Sequence, residues 1–378
     1  MEFTAGFTLS GGGTFVAPPA PPPPGYSLWT WGRNYSGFLG LGTTSTRVNT
    51  PTQVGVLTTW ATISVAATSS SVKTDGTLWT WGTNNNGQLG LGNTTNRSSP
   101  VQVGALTTWA TVSTSSANDS IAKALAIKTD GTLWSWGYNE QGQLGLGNTT
   151  AYSSPKQVGA LTTWLSIAAG NYFNLAITTD GYLWAWGRNT LGQLGLGNTT
   201  NYSSPKQVGT LTTWSKISAG GNFAVAIKTD GTMWSWGRGS AGRLGLGDTT
   251  TRSSPVQIGA LTNWLTVSVG DAHSAAIKTD GTLWTWGENS YGKLGLGNTT
   301  DYSSPKQIGA LTTWSMVAAG GNHLVTAKTD GTIWSWGRNY FGQLGLGDTT
   351  HRSSPVQVGA LTTWSYVSAG INESAAFK

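Results

Sequence analysis

The chain repeats one motif seven times, and this repetition constrains its fold more than any other feature. The motif is Trp-x-Trp-Gly preceded by Leu, Met or Ile, and its units start near residues 28, 78, 133, 183, 233, 283 and 333. Successive starts lie 50 residues apart, except for the 55 residues between 78 and 133. A period of about fifty residues is typical of solenoids, arrays and propellers. The sequence therefore predicts seven similar structural units rather than two or three unrelated domains.

Within each unit the side chains alternate with a period of two, which indicates β-strands. In the segment 78–81, Leu-Trp-Thr-Trp, both indoles lie on one face of a strand. The segments 274–278 and 282–286 flank Thr279-Asp280-Gly281, a turn of the type that joins hairpin strands. Two shorter strands are predicted at 256–258 and 264–268. Each unit therefore supplies four antiparallel strands, as a propeller blade does.

Tryptophan is the residue around which we expect the core to form. All 21 Trp fall into three columns of seven, with one member of each column in every unit. An indole buries roughly 150–250 Å² of surface, which is far more in total than a ligand platform needs. We therefore interpret the columns as packing between the units.

The two ends of the array predict a closed ring. The last unit stops at Lys378, just before its Thr-Asp-Gly turn, and Leu28 begins the strand that follows such a turn in the other units. Pairing of Ser374–Lys378 with Tyr26–Gly32 would complete the seventh blade and leave no open sheet edge between blades. We expect an all-β, seven-bladed β-propeller of four-stranded antiparallel blades. The predicted division is an N-terminal anchoring arm (1–16), a proline-rich spacer (17–25) and the propeller (26–378).

Two motifs of the unit carry a resemblance to a known family. Residues 336–347 read W-G-R-N-Y-F-G-Q-L-G-L-G, and residues 319–323 read A-G-G-N-H. Repeated over residues 28–378, these motifs resemble the repeat of the regulator of chromosome condensation family. The resemblance implies a seven-bladed β-propeller whose blades are staggered against the sequence repeat. Chromosome-associated members of that family act as guanine-nucleotide exchange factors on a small nuclear GTPase, but no residue here can be matched to that activity.

The residue census argues against an enzyme, a cofactor and a metal site. Asp and Glu total 15, and six of the Asp lie in Thr-Asp-Gly turns. Few carboxylates therefore remain that could act as a general acid–base pair. The chain has no Cys, and its three His lack metal-ligand spacing. The net charge is +6, but the Arg residues are scattered, which disfavours nucleic acid as a partner. We expect no membrane span and no cleavable secretory signal.

Positions that vary between otherwise similar units are the predicted binding residues. They lie in a window after Trp-Gly and in a second window before the hairpin, and loops on a rigid scaffold often carry recognition. Neutral drift of solvated loops is the alternative, and for the two His a structural hydrogen bond is favoured over metal ligation. The candidates are Tyr172, Phe173, Asn222, Phe223, His273, Tyr291, His323, Arg338, Tyr340 and Phe341.

The N-terminal arm is predicted to anchor the propeller to a protein partner. Its apolar residues could add to a neighbouring sheet edge or fill its grooves; they are Phe3, Phe7, Leu9, Phe15 and Val16. The arm is followed by Pro18-Pro19-Ala20-Pro21-Pro22-Pro23-Pro24, which predicts a polyproline II spacer of roughly 20–25 Å. The arm and spacer thus point to a larger assembly.

Three functions are compatible with these features. The leading hypothesis is a non-enzymatic display or attachment module, docked by its arm to a larger assembly such as a bacteriophage virion, as a capsid decoration or a tail-associated host-binding protein. Such a protein would reside in a virion or another extracellular assembly without a cleaved signal, and otherwise in the cytoplasm. The first alternative is an intracellular regulator resembling the exchange factors of the family. The second is a carbohydrate-binding propeller that contacts a surface glycan or receptor.

Overall fold

A computed structural model describes residues 26–115 and 121–378 of this chain. Over these residues the protein contains β-strands and three single turns of 3-10 helix, at Tyr35–Gly37, Ser240–Gly242 and Ser290–Gly292. In chain order the strands are β1 Leu28–Arg33, β2 Arg47–Gln53, β3 Thr68–Val72, β4 Leu78–Gly82, β5 Arg97–Gln102, β6 Trp109–Thr114, β7 Lys123–Lys128, β8 Leu133–Gly137, β9 Tyr152–Gln157, β10 Trp164–Ala169, β11 Phe173–Thr178, β12 Leu183–Gly187, β13 Tyr202–Gln207, β14 Trp214–Ala219, β15 Phe223–Lys228, β16 Met233–Gly237, β17 Arg252–Gln257, β18 Trp264–Val269, β19 His273–Lys278, β20 Leu283–Gly287, β21 Tyr302–Gln307, β22 Trp314–Ala319, β23 His323–Lys328, β24 Ile333–Gly337, β25 Arg352–Gln357, β26 Tyr366–Ala369 and β27 Glu373–Phe377.

The strands form seven antiparallel sheets, which are the blades of a propeller. Blade I has the order β2-β1-β27-β26, blade II consists of β3 to β5, and blades III to VII each take the next four strands, from β6–β9 to β22–β25. The hairpin predicted around Thr279-Asp280-Gly281 is formed by β19 and β20. The predicted all-β, seven-bladed propeller is confirmed.

Blade I closes the ring by pairing the two ends of the array. β1 is antiparallel to β27, with Leu28 opposite Phe377 and Gly32 opposite Glu373. The pairing continues past both strands, because the Ser27 N–H donates to the Lys378 carbonyl at 2.7 Å and the Lys378 N–H donates back at 3.0 Å. The predicted closure by N- and C-terminal strands is therefore confirmed.

Blade II departs from the four-stranded expectation. It has three strands, and the place of its first strand holds only isolated bridges at Trp60 and Ser64. The Thr62 hydroxyl accepts the Val72 N–H at 3.0 Å, and the Ser71 hydroxyl donates to the Thr62 carbonyl. Side chains thus take part of the hydrogen bonding that a regular ladder would use, and this segment remains irregular.

The tryptophan columns differ in burial. The second column is fully buried, and each of its indoles donates a hydrogen bond of 2.9–3.0 Å to a backbone carbonyl of the preceding blade; its members are Trp31, Trp81, Trp136, Trp186, Trp236, Trp286 and Trp336. The third column is 2–5% exposed and consists of Trp60, Trp109, Trp164, Trp214, Trp264, Trp314 and Trp364. The first column is only half-buried and consists of Trp29, Trp79, Trp134, Trp184, Trp234, Trp284 and Trp334. The core interpretation thus holds best for the second and third columns.

The ring has two different faces. One, here called the loop face, carries the loops that follow the first and third strands of each blade; in blade IV these loops are joined by the Arg188 N–H and the Tyr172 carbonyl at 2.9 Å. The other, the turn face, carries the Thr-Asp-Gly turns and the Leu-Thr-x-Trp segments between blades. These are joined as well, for example by the Thr229 N–H and the Thr213 carbonyl at 2.8 Å. The alternation of strand direction therefore separates the two kinds of connection.

Candidate functional site

Four of the ten predicted binding residues are buried inside the blades. Phe173, Phe223, His273 and His323 are each the first residue of a second strand, and each is 0% exposed. The sequence placed them in exposed loops, and that placement is wrong. The rings instead cover the glycine of their own loop: a Cβ on Gly270 would lie 2.5 Å from the His273 ring. This close packing leaves no ring surface for a ligand.

The two buried histidines differ in their hydrogen bonding: within the described residues neither ring nitrogen of His273 has a partner, so the predicted structural hydrogen bond is found for His323 only. The His323 Nε2 atom and the Ser374 hydroxyl lie 2.9 Å apart and share a hydrogen bond. Burial lowers the pKa of His323 to about 3 and lowers the pKa of His273 well below its ordinary value. Both rings are therefore neutral at pH 7 and unsuited to exchanging protons there. Among residues 26–115 and 121–378, no three His, Cys, Asp or Glu side chains are grouped so as to hold a metal ion.

The same strand position holds a charged residue in two other blades. Lys123 in blade III and Glu373 in blade I are buried where blades IV to VII have Phe or His. The Lys123 ammonium donates to the Gly170 carbonyl of the next blade, and burial lowers the Lys123 pKa to about 7. The repeat aligns both residues with the histidines, because Lys123 precedes Asp130 as His273 precedes Asp280, and Glu373 lies one repeat of 50 residues after His323.

The other predicted residues remain on the loop face, and four of them meet there. Around these four, the rings and guanidinium groups of neighbouring loops form one continuous contact chain. We call it the arginine–aromatic surface; it consists of Arg33, Tyr35, Tyr291, Arg338, Tyr340, Phe341 and His351. It spans blades VI, VII and I, across the closure of the ring. Tyr172 and Asn222 lie apart from it, with the Tyr172 ring under the Arg188 guanidinium at 5.3 Å.

The contacts within the arginine–aromatic surface form a series that runs from His351 at one end to Arg33 at the other. The His351 ring lies 5.0 Å from Tyr291, and the Arg338 guanidinium lies 5.3 Å from Tyr291 and 5.9 Å from Tyr340. Tyr340 and Phe341 are 4.9 Å apart, edge to face. At the other end, Phe341 meets Tyr35 at 6.2 Å, and the Arg33 guanidinium lies 4.9 Å from Tyr35. (All are ring-centroid distances.) The two cations are thus held over ring faces, a favourable arrangement.

Three of these rings project strongly into solvent. Tyr35, Tyr291 and Tyr340 are 40%, 43% and 58% exposed. Tyr291 also has a φ of 65°, in the left-handed region that residues with a Cβ seldom adopt. Ser36 and Ala241 have the same backbone at the equivalent positions of blades I and V, so this φ belongs to the repeated loop and not to one function. The exposed rings make the surface a candidate for recognition.

A buried asparagine holds six of the seven loops after Trp-Gly in place, and Gly239 takes its position in blade V. In blade VII the Asn339 side chain accepts the Leu344 N–H at 2.9 Å and donates to the Asp348 carbonyl at 3.0 Å. The same residue type recurs at Asn34, Asn84, Asn139, Asn189 and Asn289. The first window is therefore variable only around a fixed anchor, and its recurring Asn was the sequence signal for that role.

A charged cluster lies beside the arginine–aromatic surface on blades V to VII. The Lys293 ammonium is 3.1 Å from a Glu288 oxygen and donates to the Asn322 amide oxygen at 2.9 Å. The Arg243 guanidinium donates to the Asp271 carbonyl at 3.1 Å. Burial lowers the pKa of Lys293, lowers the Arg243 pKa to about 10 and raises the pKa of Asp271. Because these charges bond to neighbouring loops, they tie blades together more than they reach outward.

The anchoring residues predicted in the arm lie outside the described residues. The structure therefore says nothing about Phe3, Phe7, Leu9, Phe15 or Val16. Within the described part of the chain, no helix has the length and apolar character needed to cross a membrane.

The ring and its loop face define a class of protein, the closed seven-bladed propeller built from tandem repeats whose loops vary from blade to blade. A family model for the regulator of chromosome condensation (RCC1) repeat matches seven segments, at residues 27–72, 75–117, 130–177, 180–227, 230–277, 280–327 and 330–377. A second model of the repeat matches 164–193, 214–243 and 265–293. The chain belongs to the RCC1 repeat family.

Solved structures of the family share this fold. Prp20p from Saccharomyces cerevisiae has a TM-score of 0.84 and 20% sequence identity, covering 95% of this chain and 92% of that one. Human WBSCR16 has a TM-score of 0.83 and 21% identity, covering 93% and 98%. At these identities the similarity establishes the fold alone.

Curated relatives match only in short stretches. The mouse protein RCC2 is 51% identical over 41 residues, which are 11% of this chain and 8% of that protein. Human RCC2 is 44% identical over 48 residues, or 13% of this chain and 9% of that protein. The matched stretches thus span less than a tenth of these relatives, about one repeat.

Proposed function

We propose that this chain is a non-enzymatic interaction propeller that binds a protein partner through its loop face. The observation that carries the proposal is the arginine–aromatic surface, in which loops of three blades bring Tyr, Phe and Arg together. Tyr and Arg are enriched among residues that dominate binding energy. Because the blades hold the rings and guanidinium groups in mutual contact, less side-chain freedom is lost on binding.

The charges of this surface indicate the partner's chemistry. Arg33 and Arg338 contribute two guanidinium groups, and none of the seven members is a carboxylate. Burial and the nearby Arg338 lower the pKa of His351, so this ring adds no charge at pH 7. A complementary partner would present acidic side chains around an apolar contact.

Among functions that depend on binding a protein, regulation of that protein agrees best with the family. Prp20p is described with its binding to Gsp1p and histones, and yeast RCC1 (Prp20) has been seen bound to Kap60. These are properties of Prp20p, and they make a small GTPase the first partner to test here. None of the relatives named above supports a bacteriophage role, so attachment to a virion is not part of the proposal.

Carbohydrate binding is a weaker proposal because part of its platform is missing. Phe173 is buried, which leaves Tyr172 without its neighbouring aromatic ring. Tyr340 and Phe341 remain on the surface, but each is engaged with a guanidinium group or with another ring. These contacts favour a protein partner that joins the existing cluster.

The test compares a double variant with a matched control in the full-length chain. Arg33→Gln with Arg338→Gln should weaken partner binding at least tenfold, about 1.4 kcal/mol. Arg97→Gln, at the start of β5 and outside the surface, should leave it unchanged. Affinity for a panel of small GTPases would be measured by biolayer interferometry, with nucleotide release measured in parallel. Equal affinities of the double variant and the control would rule out this surface.

A further inference from the structure

An apolar groove lies between blades I and II. Its walls are formed by Leu41, Val54, Leu57, Trp60, Trp79 and Pro100, and its volume is about 250 Å³. Leu57 is 45% exposed, and Trp79 is the half-buried first-column tryptophan. We call this the first tryptophan groove. Its walls combine Leu41, from the loop that follows β1, with Val54 and Leu57, from the connection between blades I and II.

Equivalent grooves recur between other blades. They repeat the same Leu, Trp and Pro positions, with volumes of about 400 Å³ beside Trp109, 380 Å³ beside Trp214 and 480 Å³ beside Trp314. The leucine at the mouth is 42–50% exposed in every blade; these residues are Leu57, Leu106, Leu161, Leu211, Leu261, Leu311 and Leu361. The chain therefore offers matched copies of one groove, differing in their distance from the N-terminal segment.

The indoles of the third column leave a hydrogen-bond donor unused beside these grooves. Within the described residues, the Nε1 atom of each third-column tryptophan is buried without a hydrogen-bond partner. In contrast, six of the seven first-column indoles, all but Trp184, donate to a Thr or Ser hydroxyl, as Trp79 does to Thr77 at 2.8 Å. A buried donor without a partner is costly, but the N–H itself is covered by protein, so the groove offers a ligand the aromatic rings and not this donor.

The chain enters the propeller next to the first tryptophan groove. Tyr26 pairs in parallel with Thr59, the residue before Trp60. The Tyr26 side chain packs against the apolar cluster of Trp60 and Trp79, together with Leu41. In register with the next unit, Tyr26 takes the place of Gly76, which belongs to a Thr-Asp-Gly turn. Tyr26, the first described residue, thus lies beside this groove.

We propose that the proline-rich segment 18–24 of this chain binds in the first tryptophan groove of the same molecule. Its last proline is two residues before Tyr26, and at about 3.1 Å per residue its seven residues would span roughly 22 Å. The segment has no charged side chain and suits an apolar wall. Grooves lined by aromatic rings are a recurring site for polyproline II chains.

The inference does not depend on the proposed function, because it involves neither the arginine–aromatic surface nor any partner.

Disulfide trapping tests the proposal, since the natural chain has no Cys. Full-length protein with Pro22→Cys and Leu57→Cys would be oxidised mildly, and the intramolecular disulfide would be followed by non-reducing electrophoresis. The matched control is Pro22→Cys with Leu211→Cys, in the equivalent groove between blades IV and V. We expect the Leu57→Cys pair to close at least tenfold faster, at a rate independent of protein concentration.

A second variant separates specific docking from mere proximity of the segment. Replacing Pro18, Pro19, Pro21, Pro23 and Pro24 by Ser, with both cysteines kept, should slow closure at least tenfold while tryptophan fluorescence shows an intact propeller. Unchanged closure would overturn the proposal, because a flexible tether would then suffice. Equal closure rates for Leu57→Cys and Leu211→Cys would overturn it too. Disulfide-linked dimers as the main product would assign the groove to a second copy and likewise contradict docking within one molecule.

Discussion

A glycine that touches a buried indole offers a sharp test of how the blades are joined. Gly195 has a φ of 72°, and a Cβ there would lie 2.8 Å from the Nε1 atom of Trp236. That indole cannot move away easily, because it is fully buried and donates to the Gln193 carbonyl at 3.0 Å. Gly195→Ala therefore combines backbone strain with overpacking between blades IV and V.

The expected loss can be divided into its two causes. A left-handed backbone costs a residue with a Cβ about 1–2 kcal/mol, and overpacking a well-filled core costs about 1–3 kcal/mol. Gly195→Ala should thus lower the free energy of unfolding by about 2–5 kcal/mol. Gly209→Ala is the matched control, because Gly209 has a φ of 64° and no atom within 4 Å of the added Cβ. Gly209→Ala should lower the free energy of unfolding only by the backbone cost of about 1–2 kcal/mol.

Urea unfolding followed by tryptophan fluorescence measures both variants. The reasoning requires a lower midpoint for Gly195→Ala than for Gly209→Ala at a similar slope. If the two variants lost equal stability, the contact with Trp236 would carry no energetic weight. The interpretation of the second column as the joint between blades would then fail.

Three further predictions concern buried polar groups. The Lys123 pKa is about 7 in the folded chain, against roughly 10.4 when unfolded; the unfolded state then holds more protons, so stability rises with pH across this interval. Lys123→Met should remove about 2–4 kcal/mol of that rise in urea titrations at pH 7 and pH 10. The His323 pKa is about 3, so stability falls as the pH drops below about 6.5. His323→Phe should reduce the loss between pH 6.5 and pH 4 by up to about 3 kcal/mol, measured by urea unfolding. Tyr182 replaces the Thr that accepts from the first-column indole in most other blades, and the buried Trp184 Nε1 has no partner. Tyr182→Thr should therefore stabilise the chain by about 1 kcal/mol, seen as a higher urea midpoint.

Each of these predictions has a control and a contrary outcome. Lys156→Met changes an exposed lysine and should leave the pH dependence intact; if Lys123→Met does the same, the buried ammonium is not the titrating group. For the acid series the control is Gln157→His, which adds an exposed imidazole and should leave the acid response intact. An unchanged acid response of His323→Phe would contradict a neutral buried ring. For Tyr182→Thr, an unaltered or lower midpoint would show that Tyr182 itself contributes more than the missing hydrogen bond.

The sequence was sufficient for the architecture because its signals are local and repeated. The Thr-Asp-Gly turns mark the hairpins, and the positions of Leu28 and Lys378 showed where the ring closes. Blade II was predicted less well, since its irregular first strand depends on the particular bonds of Thr62 and Ser71. The period-two pattern shows which segments can form strands, but it does not show where a side chain takes a backbone hydrogen bond that strand pairing would otherwise use.

The candidate site was predicted in part. Tyr291, Arg338, Tyr340 and Phe341 were identified from variation in one window, and Arg33 and Tyr35 occupy that same window in the first unit without having been selected. His351 was missed because it comes from the next segment of its unit and meets Tyr291 only across two blades. Phe173 and His323 were misplaced because the small glycine loops draw the first strand residue inward. The close packing of His273 on Gly270 is an example, and such a contact cannot be read from the order of residues in the sequence.

The shared sheet of blade I sets an order for biogenesis. A ribosome releases Leu28 long before Phe377, so β1 must wait through the synthesis of six other blades with its partner edge unsatisfied. Substitutions that weaken the pairing of Ser27 with Lys378 would leave the individual blades able to form, but the ring would open at blade I. A circular permutation, in which a Thr-Asp-Gly linker joins the two ends and the chain is cut at another turn, would move the site of ring closure to a different blade.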